Sequence, residues 1–446
     1  MEHTGTGFGT QVIHSGVTPG KDCRPLSMPI YQTSTFYFDT CEQGGRCFAG
    51  EEGGYYYSRM GNPTVQLLEE KIAALEGAEA AVATGSGMGA ISSALWSIAG
   101  AGKHILADKT LYGCTFALLG HGMTRYGVEV TFIDTSDLKA VEENLRENTC
   151  AVYLETPANP TLKIADIQAV ARIAHGYDPD IKVVVDNTFA TPYLQRPLEL
   201  GADMVVHSAT KFLNGHGDAL AGFVCGRRDL IDQVRMFGVK DMTGSVLGAQ
   251  EAFLVLRGLK TFELRMMRHC ENARKLADYL VTDPRVETVY FPGVPTHPGH
   301  ETAKKQMRCF GPVMSIEIKG GKQAGMDFVD HLRMCRIAVS LGDAETLVQH
   351  AASMTHSAYS PEELKAAGIP EGLVRISVGL ENAEDIIADV KQALDHVKGQ
   401  GVPSDRKRGG RSRGRLARGS PASGRRKGGG GQKSRKNPQH HWKFYV

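Results

Sequence analysis

The sequence lacks any run approaching the roughly 18 consecutive apolar residues that a membrane-spanning helix needs. Its first residues lack the basic and then apolar stretches of a secretory signal, so we expect no export. The nine cysteines include no CxxC pair, so we expect free thiols in a reducing cytoplasm and no structural zinc. With 41% hydrophobic and 22% charged residues, the composition is typical of a globular protein without a membrane or metal site.

Charge is distributed unevenly along the 446 residues. Residues 401–446 contain 14 Lys/Arg and a single acid, Asp405, whereas residues 1–400 contain 37 basic and 48 acidic residues. The last segment is nearly free of aliphatic residues, so it cannot bury enough apolar surface to offset its ordering entropy. We predict a basic disordered tail that is unrelated to an acidic body. A nucleic-acid-binding arm is the alternative interpretation, and no nucleic-acid partner is predicted for the body.

Short β-like runs and helix-length segments alternate along the first half of the body. One helix is sharply delimited, because Asn62 can cap its first turn, Pro63 suits its first position and Gly77 ends it. This rhythm predicts an α/β fold with a mostly parallel sheet covered by helices. A long amphipathic segment near 247–282, followed by two further β-like runs, predicts a smaller C-terminal α+β domain. The six earlier β-like runs are 80–85, 104–108, 128–134, 150–156, 182–188 and 203–208.

A glycine-rich turn, "ATGSGMGA" at 83–90, follows one predicted strand and begins a helix. Its backbone N–H groups and the helix dipole suit a phosphate group. Through Gly85, Gly87 and Ala90 it also fits the dinucleotide pattern G-x-G-x-x-A, with Asp108 at the end of the next predicted strand. An NAD-dependent oxidoreductase is therefore one candidate, and a plain strand-to-helix turn is another.

Two polar residues follow neighbouring β-like runs, Asp186 in "VVVDNT" and Lys211 in "HSATKFLNGHGD". Ser208 and Lys211 also fit the S-x-x-K motif of serine acyl-transfer enzymes, but the companion motifs S-D-N and K-T-G are missing. A lysine after hydroxyl residues can form a Schiff base with an aldehyde cofactor, and an aspartate one strand away can keep a pyridine nitrogen protonated. Because strand ends of an open α/β sheet converge on one crevice, we expect Gly87, Asp186 and Lys211 to lie together.

These motifs resemble those of the Cys/Met-metabolism family of pyridoxal 5'-phosphate (PLP) enzymes over about residues 8–397. The resemblance is carried by "YYYSRMGNPT", "SGMGAI", "ETPANP", "VVVDNTFATPYLQRPLELGAD" and "HSATKFLNGHGD". It implies the aminotransferase-like fold (fold type I) and a homotetramer built from catalytic dimers. It also implies four parts: an N-terminal segment, 1–62, that contributes to the neighbouring subunit's site, a PLP-binding large domain, 63–258, a small domain, 259–400, and the tail, 401–446.

The resemblance also implies a PLP site, matched residue by residue. Lys211 would carry the Schiff base, and Asp186 would pair with the pyridinium nitrogen. Tyr57 and Arg59 would reach the phosphate of the neighbouring subunit's cofactor, with Ser58 between them. The other implied cofactor contacts are Ser86, Gly87, Met88, Ser208 and Thr210 at the phosphate, Asn159 beside the phenolic oxygen, and Tyr112 stacked on the ring.

The implied catalytic residues are Lys211, Tyr112 and Cys114. Tyr112 would act as an acid toward the leaving sulfur, and we expect cationic neighbours, Arg59 in particular, to lower the pKa of Tyr112. Arg375, in "GLVRISVGLE", would bind the substrate carboxylate with two N–H groups, and Ser340 would lie nearby.

Substrate choice within the family is indicated by four positions. Cys114, Lys240 and Asp241 resemble residues of members that cleave methionine, the last two as substrate contacts. Val339 stands where cystathionine-processing members carry a glutamate for the distal ammonium. The implied activity is α,γ-elimination of L-methionine to methanethiol, 2-oxobutanoate and ammonia, with homocysteine desulfhydration as a side activity. Cystathionine γ-lyase and O-acylhomoserine sulfhydrylase activities remain alternatives.

Two features depart from the family's pattern. Ala351, in "QHAASMTH", stands where the family has a proline, which predicts a looser loop. The basic tail has no family counterpart. The structural alternatives at the specificity positions are that Cys114 is a small buried filler and that Val339 is an ordinary sheet residue.

Overall fold

The computed structural model describes residues 6–16, 25–355, 357, 360–366 and 368–397. Within these ranges no helix is both long and apolar enough to cross a membrane. The predicted basic tail at 401–446 lies outside the described residues.

Helices occur throughout the described ranges, and two α-helices continue directly into π-helices. The π-helices are Leu118–Gly122 and Val234–Thr243, and short 3-10 turns are Met123–Tyr126, Pro197–Leu200 and Ala351–Ser353. The α-helices are α1 (Phe8–His14), α2 (Cys41–Ala49), α3 (Pro63–Glu76), α4 (Gly87–Ile98), α5 (Gly113–Ala117), α6 (Leu138–Asn144), α7 (Ile167–Tyr177), α8 (Thr191–Leu194), α9 (Arg228–Gln233), α10 (Ala249–Leu259), α11 (Phe262–Leu280), α12 (His300–Gln306), α13 (Gly321–Asp330), α14 (Pro361–Ala366) and α15 (Ala383–Leu394).

The strands form two sheets. The strands are β1 (Ala80–Thr84), β2 (His104–Asp108), β3 (Glu129–Ile133), β4 (Thr149–Glu155), β5 (Lys182–Asp186), β6 (Met204–Ser208), β7 (Gly222–Gly226), β8 (Val286–Tyr290), β9 (Val313–Ile318), β10 (Arg336–Ile337), β11 (Leu347–His350) and β12 (Leu373–Ser377). The first sheet has the order β1-β7-β6-β5-β4-β2-β3, and the second has the order β10-β11-β12-β9-β8. In the first sheet β7 alone runs opposite to the other strands, which confirms the predicted mostly parallel α/β sheet.

All six predicted β-like runs of the first part are strands, β1 to β6. The antiparallel strand β7 was not predicted. Its sequence, "GFVCG", is short and bounded by glycines, and nothing local indicates the direction in which it pairs. Its place between β1 and β6 therefore comes from tertiary pairing rather than from a local pattern.

The central strand β5 carries the first functional side chain on a rigid base. Val183, Val184 and Val185 are fully buried. Val184 packs with Val206 on one face of the sheet, while Val183 and Val185 pack in a separate cluster on the other face. Burying each valine contributes about 1.5–3 kcal/mol, so the end of this strand, Asp186, is held firmly in place.

The predicted helix after residue 62 is confirmed at both ends. The Asn62 side chain accepts a hydrogen bond from the Thr64 N–H group, and Pro63 occupies the first turn. Gly77 ends the helix with φ of +70°, a left-handed conformation that glycine adopts without strain.

The amphipathic segment near 247–282 forms two helices, α10 and α11, rather than one. The chain turns at Lys260 and Thr261 between them. Helices α11, α13 and α15 pack apolar side chains against the second sheet, which is antiparallel except for the β10–β11 pair. A smaller C-terminal α+β unit is thus present, while the domain boundaries at 63 and 259 remain predictions.

Ala351 lies in a well-packed place. It is fully buried in a small apolar cluster with Ala352, Leu364 and Leu373. Residues 356, 358 and 359, farther along the same loop, lie outside the described residues. The looser loop expected from the missing proline therefore remains a prediction.

Candidate active site

Asp186 and Lys211 meet at one edge of the first sheet. Asp186 is the last residue of β5, and Lys211 follows the end of the adjacent parallel strand β6. This edge carries the carboxyl ends of the parallel strands, where side chains from several loops converge.

The Asp186 carboxylate is buried and held by hydrogen bonds. One oxygen accepts from the Thr188 backbone N–H at 3.0 Å and from the Thr188 hydroxyl at 2.6 Å. The other oxygen faces the Tyr153 hydroxyl at 3.4 Å. Burial raises the pKa of Asp186, and the Thr188 donors and the nearby His207 oppose that rise. A buried carboxylate oriented in this way suits a cationic ring nitrogen as its partner.

A cradle for a phosphate group lies at the N-terminus of α4. Ser86 caps this helix by accepting from the Gly89 N–H at 3.0 Å, and the first N–H groups of a helix have no partner within it. A Cβ atom on Gly87 would lie 2.9 Å from the Ser208 hydroxyl oxygen, so glycine is required for this close approach. Met88 follows Gly87 in the same first turn.

Thr210, the other predicted phosphate contact, hydrogen-bonds within its own loop. Its hydroxyl accepts from the Ala221 N–H at 3.1 Å and lies 3.4 Å from the Ala221 carbonyl oxygen. These two contacts tie the loop that carries Lys211 to the residue before β7. Thr210 therefore stabilises this loop, whatever further contact its hydroxyl makes.

The Lys211 amine is only weakly basic. Burial, assisted by the positive charge of Arg375, lowers the pKa of Lys211 to about 8. Its Nζ donates a hydrogen bond to the Ser340 hydroxyl at 3.0 Å, which brings two of the predicted site residues together. A lysine with this pKa exchanges protons near neutral pH and can act as a nucleophile or a base.

Arg375 is buried in the same crevice, with 3% of its surface exposed. One terminal nitrogen donates to the Asn159 side-chain oxygen at 2.9 Å. The other donates to the backbone carbonyls of Val339 and Ser340, at 3.1 and 2.8 Å. The Nε–H group is buried, and none of the described residues accepts from it. This guanidinium is thus held rigidly with a donor left over, as the binding of a ligand carboxylate requires.

Tyr112 lies near the Arg375 guanidinium and is partly exposed. Burial, the neighbouring Cys114 thiol and Glu155 raise the pKa of Tyr112, and Arg375 partly opposes that rise. The expected lowering by Arg59 does not occur within one chain, because Arg59 lies elsewhere and donates to the Lys240 carbonyl. Tyr112 therefore keeps its proton at neutral pH.

Five further predicted residues form a second group: Tyr57, Ser58, Arg59, Lys240 and Asp241. Arg59 lies over the Tyr57 ring at 5.8 Å and donates to the Lys240 carbonyl at 3.1 Å, while Lys240 forms an ion pair with Asp241. Lys240 and Asp241 belong to the long π-helix, an element frequent at functional sites. Arg59 and Ser58 line a cavity of about 300 Å³. Among the described residues, no hydrogen bond or ion pair joins this group to Lys211, Asp186 or Arg375.

Three buried residues that contact the site were not predicted from the sequence. Thr188 and Tyr153 hold Asp186, and Glu155, at the end of β4, accepts from the N–H groups of Tyr112 and Asn159. An acidic residue after an apolar run was a visible pattern for Glu155. No local pattern distinguishes Thr188 or Tyr153 from ordinary sheet residues.

The NAD-dependent oxidoreductase alternative requires Asp108 to be available for a ribose hydroxyl, and the structure does not support this. Asp108 accepts hydrogen bonds from the N–H groups of Thr110 and Thr135, at 2.7 and 3.2 Å, so its carboxylate serves the local backbone. The strand order of the first sheet also differs from the 3-2-1-4-5-6 order of dinucleotide-binding folds.

Residues 9–395 match the model of the Cys/Met metabolism PLP-dependent enzyme family. The chain belongs to this family. Among its relatives, the L-methionine gamma-lyase of Fusobacterium nucleatum subsp. nucleatum is 61% identical, covering 89% of this chain and 100% of the relative. The L-methionine gamma-lyase of Treponema denticola is 59% identical, covering 88% and 97%. The solved cystathionine gamma-lyase from Lactobacillus plantarum, complexed with L-serine, has a TM-score of 0.82 at 39% identity, covering 88% of this chain and 100% of that one.

Membership of the Cys/Met-metabolism family identifies the cofactor as PLP, bound through a lysine. The site fits this group in three respects: the glycine cradle at Gly87, the buried carboxylate of Asp186, and the weakly basic Lys211. As for other members of this PLP-dependent family, the fold is the aminotransferase-like α/β fold.

Proposed function

We propose that this chain is a carbon–sulfur lyase that catalyses the α,γ-elimination of L-methionine to methanethiol, 2-oxobutanoate and ammonia. The observation that carries the proposal is the convergence of a weakly basic lysine, a buried carboxylate and a buried guanidinium with a free donor beside one helix N-terminus. Its relatives named L-methionine gamma-lyase, at 50–61% identity, support the same activity.

Each group has a distinct task. PLP, when bound, supplies a protonated ring that withdraws electrons from the substrate's Cα. Asp186 keeps the ring nitrogen protonated, and Lys211, with a pKa of about 8, accepts the proton from Cα. Arg375 binds the substrate carboxylate with its guanidinium, whose buried Nε–H has no partner among the described residues. Because the raised pKa of Tyr112 keeps its hydroxyl protonated, this residue can give a proton to the departing sulfur.

Two features support methionine over the alternatives. Val339 has an apolar, half-exposed side chain, and its carbonyl accepts from Arg375. Cys114 lies beside Tyr112. A thioether methyl suits these two side chains better than the distal ammonium of cystathionine does. Homocysteine desulfhydration follows as a side activity, while cystathionine γ-lyase and O-acylhomoserine sulfhydrylase activities are the second candidates.

The active unit in this proposal is a dimer, and two dimers form a homotetramer in the cytoplasm, without a nucleic-acid partner. The support is the second group, in which Tyr57, Arg59, Lys240 and Asp241 lie together and, among the described residues, form no hydrogen bond or ion pair with Lys211. The segment around this group also exposes large apolar side chains, with Leu26 98% and Tyr37 92% exposed. A second copy of the chain would cover this face and bring the second group to the first chain's phosphate.

The test begins with the visible spectrum of the purified protein. A cofactor band, reduction by borohydride and mapping of the label to Lys211 would support the cofactor assignment. Release of methanethiol and 2-oxobutanoate from L-methionine, and its loss in Lys211→Ala, would support the reaction. If methionine is inert while cystathionine, or an O-acylhomoserine with sulfide, reacts, then the substrate assignment is wrong.

A further inference from the structure

Glu155 connects the parts of the active site that sequence motifs predicted separately. It is the last residue of β4 and is 6% exposed. One carboxylate oxygen accepts from the Tyr112 N–H at 2.9 Å, and the other accepts from the Asn159 N–H at 2.9 Å. Asn159 in turn accepts from Arg375 at 2.9 Å. We infer that Glu155 is a positioning residue that orients Tyr112 and Arg375 toward the substrate, an inference that rests on the proposed function.

The hydrogen-bond pattern requires a carboxylate at this position. Both oxygens face N–H donors and accept from them, and the ionised carboxylate is the form that accepts most strongly at both oxygens. A glutamine keeps one acceptor oxygen but turns an NH2 group toward the second N–H. In that variant the backbone of either Tyr112 or Asn159 must move, although the volume of the side chain is unchanged.

The charge of Glu155 also has a local use. Two buried carboxylates lie side by side, because Glu155 pairs in register with Asp186. Burial and the neighbouring Asp186 raise the pKa of Glu155, whereas the two N–H donors favour its ionised form. The buried Arg375 is the cation that benefits, since Glu155 offsets part of the pKa lowering that burial imposes on the guanidinium. Glu155 thereby offsets part of the cost of burying the Arg375 charge that an anionic substrate requires.

A stabilising role alone would have different consequences, and the chain offers a matched control. Asp389 on α15 is also a buried carboxylate, and it accepts from the N–H groups of Arg333, Met334 and Cys335 at 2.9 Å each. Asp389→Asn removes the same kind of hydrogen bond at a carboxylate for which the described residues show no hydrogen bond to Lys211, Asp186 or Arg375. We expect it to lower thermal stability without changing ligand affinity or turnover.

The experiment compares Glu155→Gln with Asp389→Asn in the PLP-saturated enzyme. L-Norleucine replaces the thioether sulfur of methionine with a methylene and has no leaving group, so its dissociation constant can be read from the cofactor's visible band. For Glu155→Gln we expect this constant to rise about tenfold, since a charge-assisted contact is weakened. Because norleucinamide lacks the carboxylate, its dissociation constant should change less than about twofold, and kcat for methionine should fall about tenfold.

A double variant separates positioning from general damage. If Glu155 acts through Arg375, then Glu155→Gln combined with Arg375→Lys loses less norleucine affinity than the product of the single losses, by at least about threefold. Should Glu155→Gln fail to fold, Glu155→Asp keeps the charge but has a side chain too short to reach both N–H groups, so it should raise the norleucine constant more than the norleucinamide constant.

The outcomes are distinct. Unchanged norleucine affinity and kcat, with only a stability loss like that of Asp389→Asn, would overturn the inference and leave Glu155 a structural residue. Equal weakening of norleucine and norleucinamide would overturn it too, because Arg375 would not be the group affected. Wild-type protein that binds norleucine but releases no methanethiol would contradict the proposed function, while the comparison of variants would still decide the role of Glu155.

Discussion

The substitution Arg375→Lys tests the assignment of the carboxylate-binding group. The wild-type guanidinium donates to Asn159 and to two backbone carbonyls, and within the described part of the chain its buried Nε–H has no partner. A bound α-carboxylate supplies that partner. A lysine has a single ammonium on a flexible stem and cannot satisfy the same partners in one plane.

The expected loss follows from the number of contacts. One charge-assisted hydrogen bond contributes about 1.5–3 kcal/mol, which is roughly a ten- to hundredfold change. We therefore expect kcat/KM for L-methionine to fall by about that factor in Arg375→Lys, mainly through KM. The visible cofactor band should be retained, because the substitution leaves the proposed PLP contacts, Lys211, Asp186 and the α4 N-terminus, unchanged.

L-Methioninamide provides the control, since it keeps the amine and thioether but lacks the carboxylate. The wild-type enzyme should use the amide poorly, and Arg375→Lys should change its kcat/KM by less than about threefold. Equal losses on methionine and on the amide would refute the reasoning. Arg375 would then support the crevice through Val339 and Ser340 and would not recognise the carboxylate.

Three further predictions follow from the same geometry. The pKa of Lys211 is lowered to about 8, so the neutral amine that attacks the cofactor's aldehyde forms as pH rises through that value. The rate at which PLP rebinds to the apoprotein should therefore increase from pH 6 to 8 and level off above about pH 9. Absorbance of the cofactor measures this rate. Val339→Glu should raise kcat/KM for cystathionine relative to methionine by about tenfold, because a carboxylate can pair with the distal ammonium. Both constants are measured on the same variant, and an unchanged ratio would show that this position does not set specificity. Burial by itself raises the pKa of Asp389, but three N–H donors hold this pKa below its ordinary value. The carboxylate therefore stabilises the fold above about pH 4, and this contribution is lost at lower pH. Asp389→Asn should lower the free energy of unfolding in urea by about 1–3 kcal/mol at pH 7 and by less at pH 3.

Much of the fold could be predicted locally. The valines of β5 and the capped helix α3 follow from residue spacing, from Asn62 and from Gly77, because hydrophobic periodicity and capping act over a few residues. The strand β7 and the break between α10 and α11 could not be predicted. Pairing direction and helix ends there depend on contacts with distant parts of the chain.

The sequence by itself determined which chemistry is available. Lys211 and Asp186 after strands, a glycine-rich turn before a helix, and Arg375 in a late strand are properties of residue type and order, and strand ends of such sheets meet at one edge. Tertiary structure alone decided how these groups behave. Burial weakens the basicity of Lys211 and keeps Tyr112 protonated. Among the described residues, the buried Nε–H of Arg375 is left without a partner while its terminal nitrogens bind Asn159 and two carbonyls, and Arg59 contacts Lys240. Desolvation and hydrogen-bond saturation depend on neighbours that are remote in sequence, so no local pattern could reveal them.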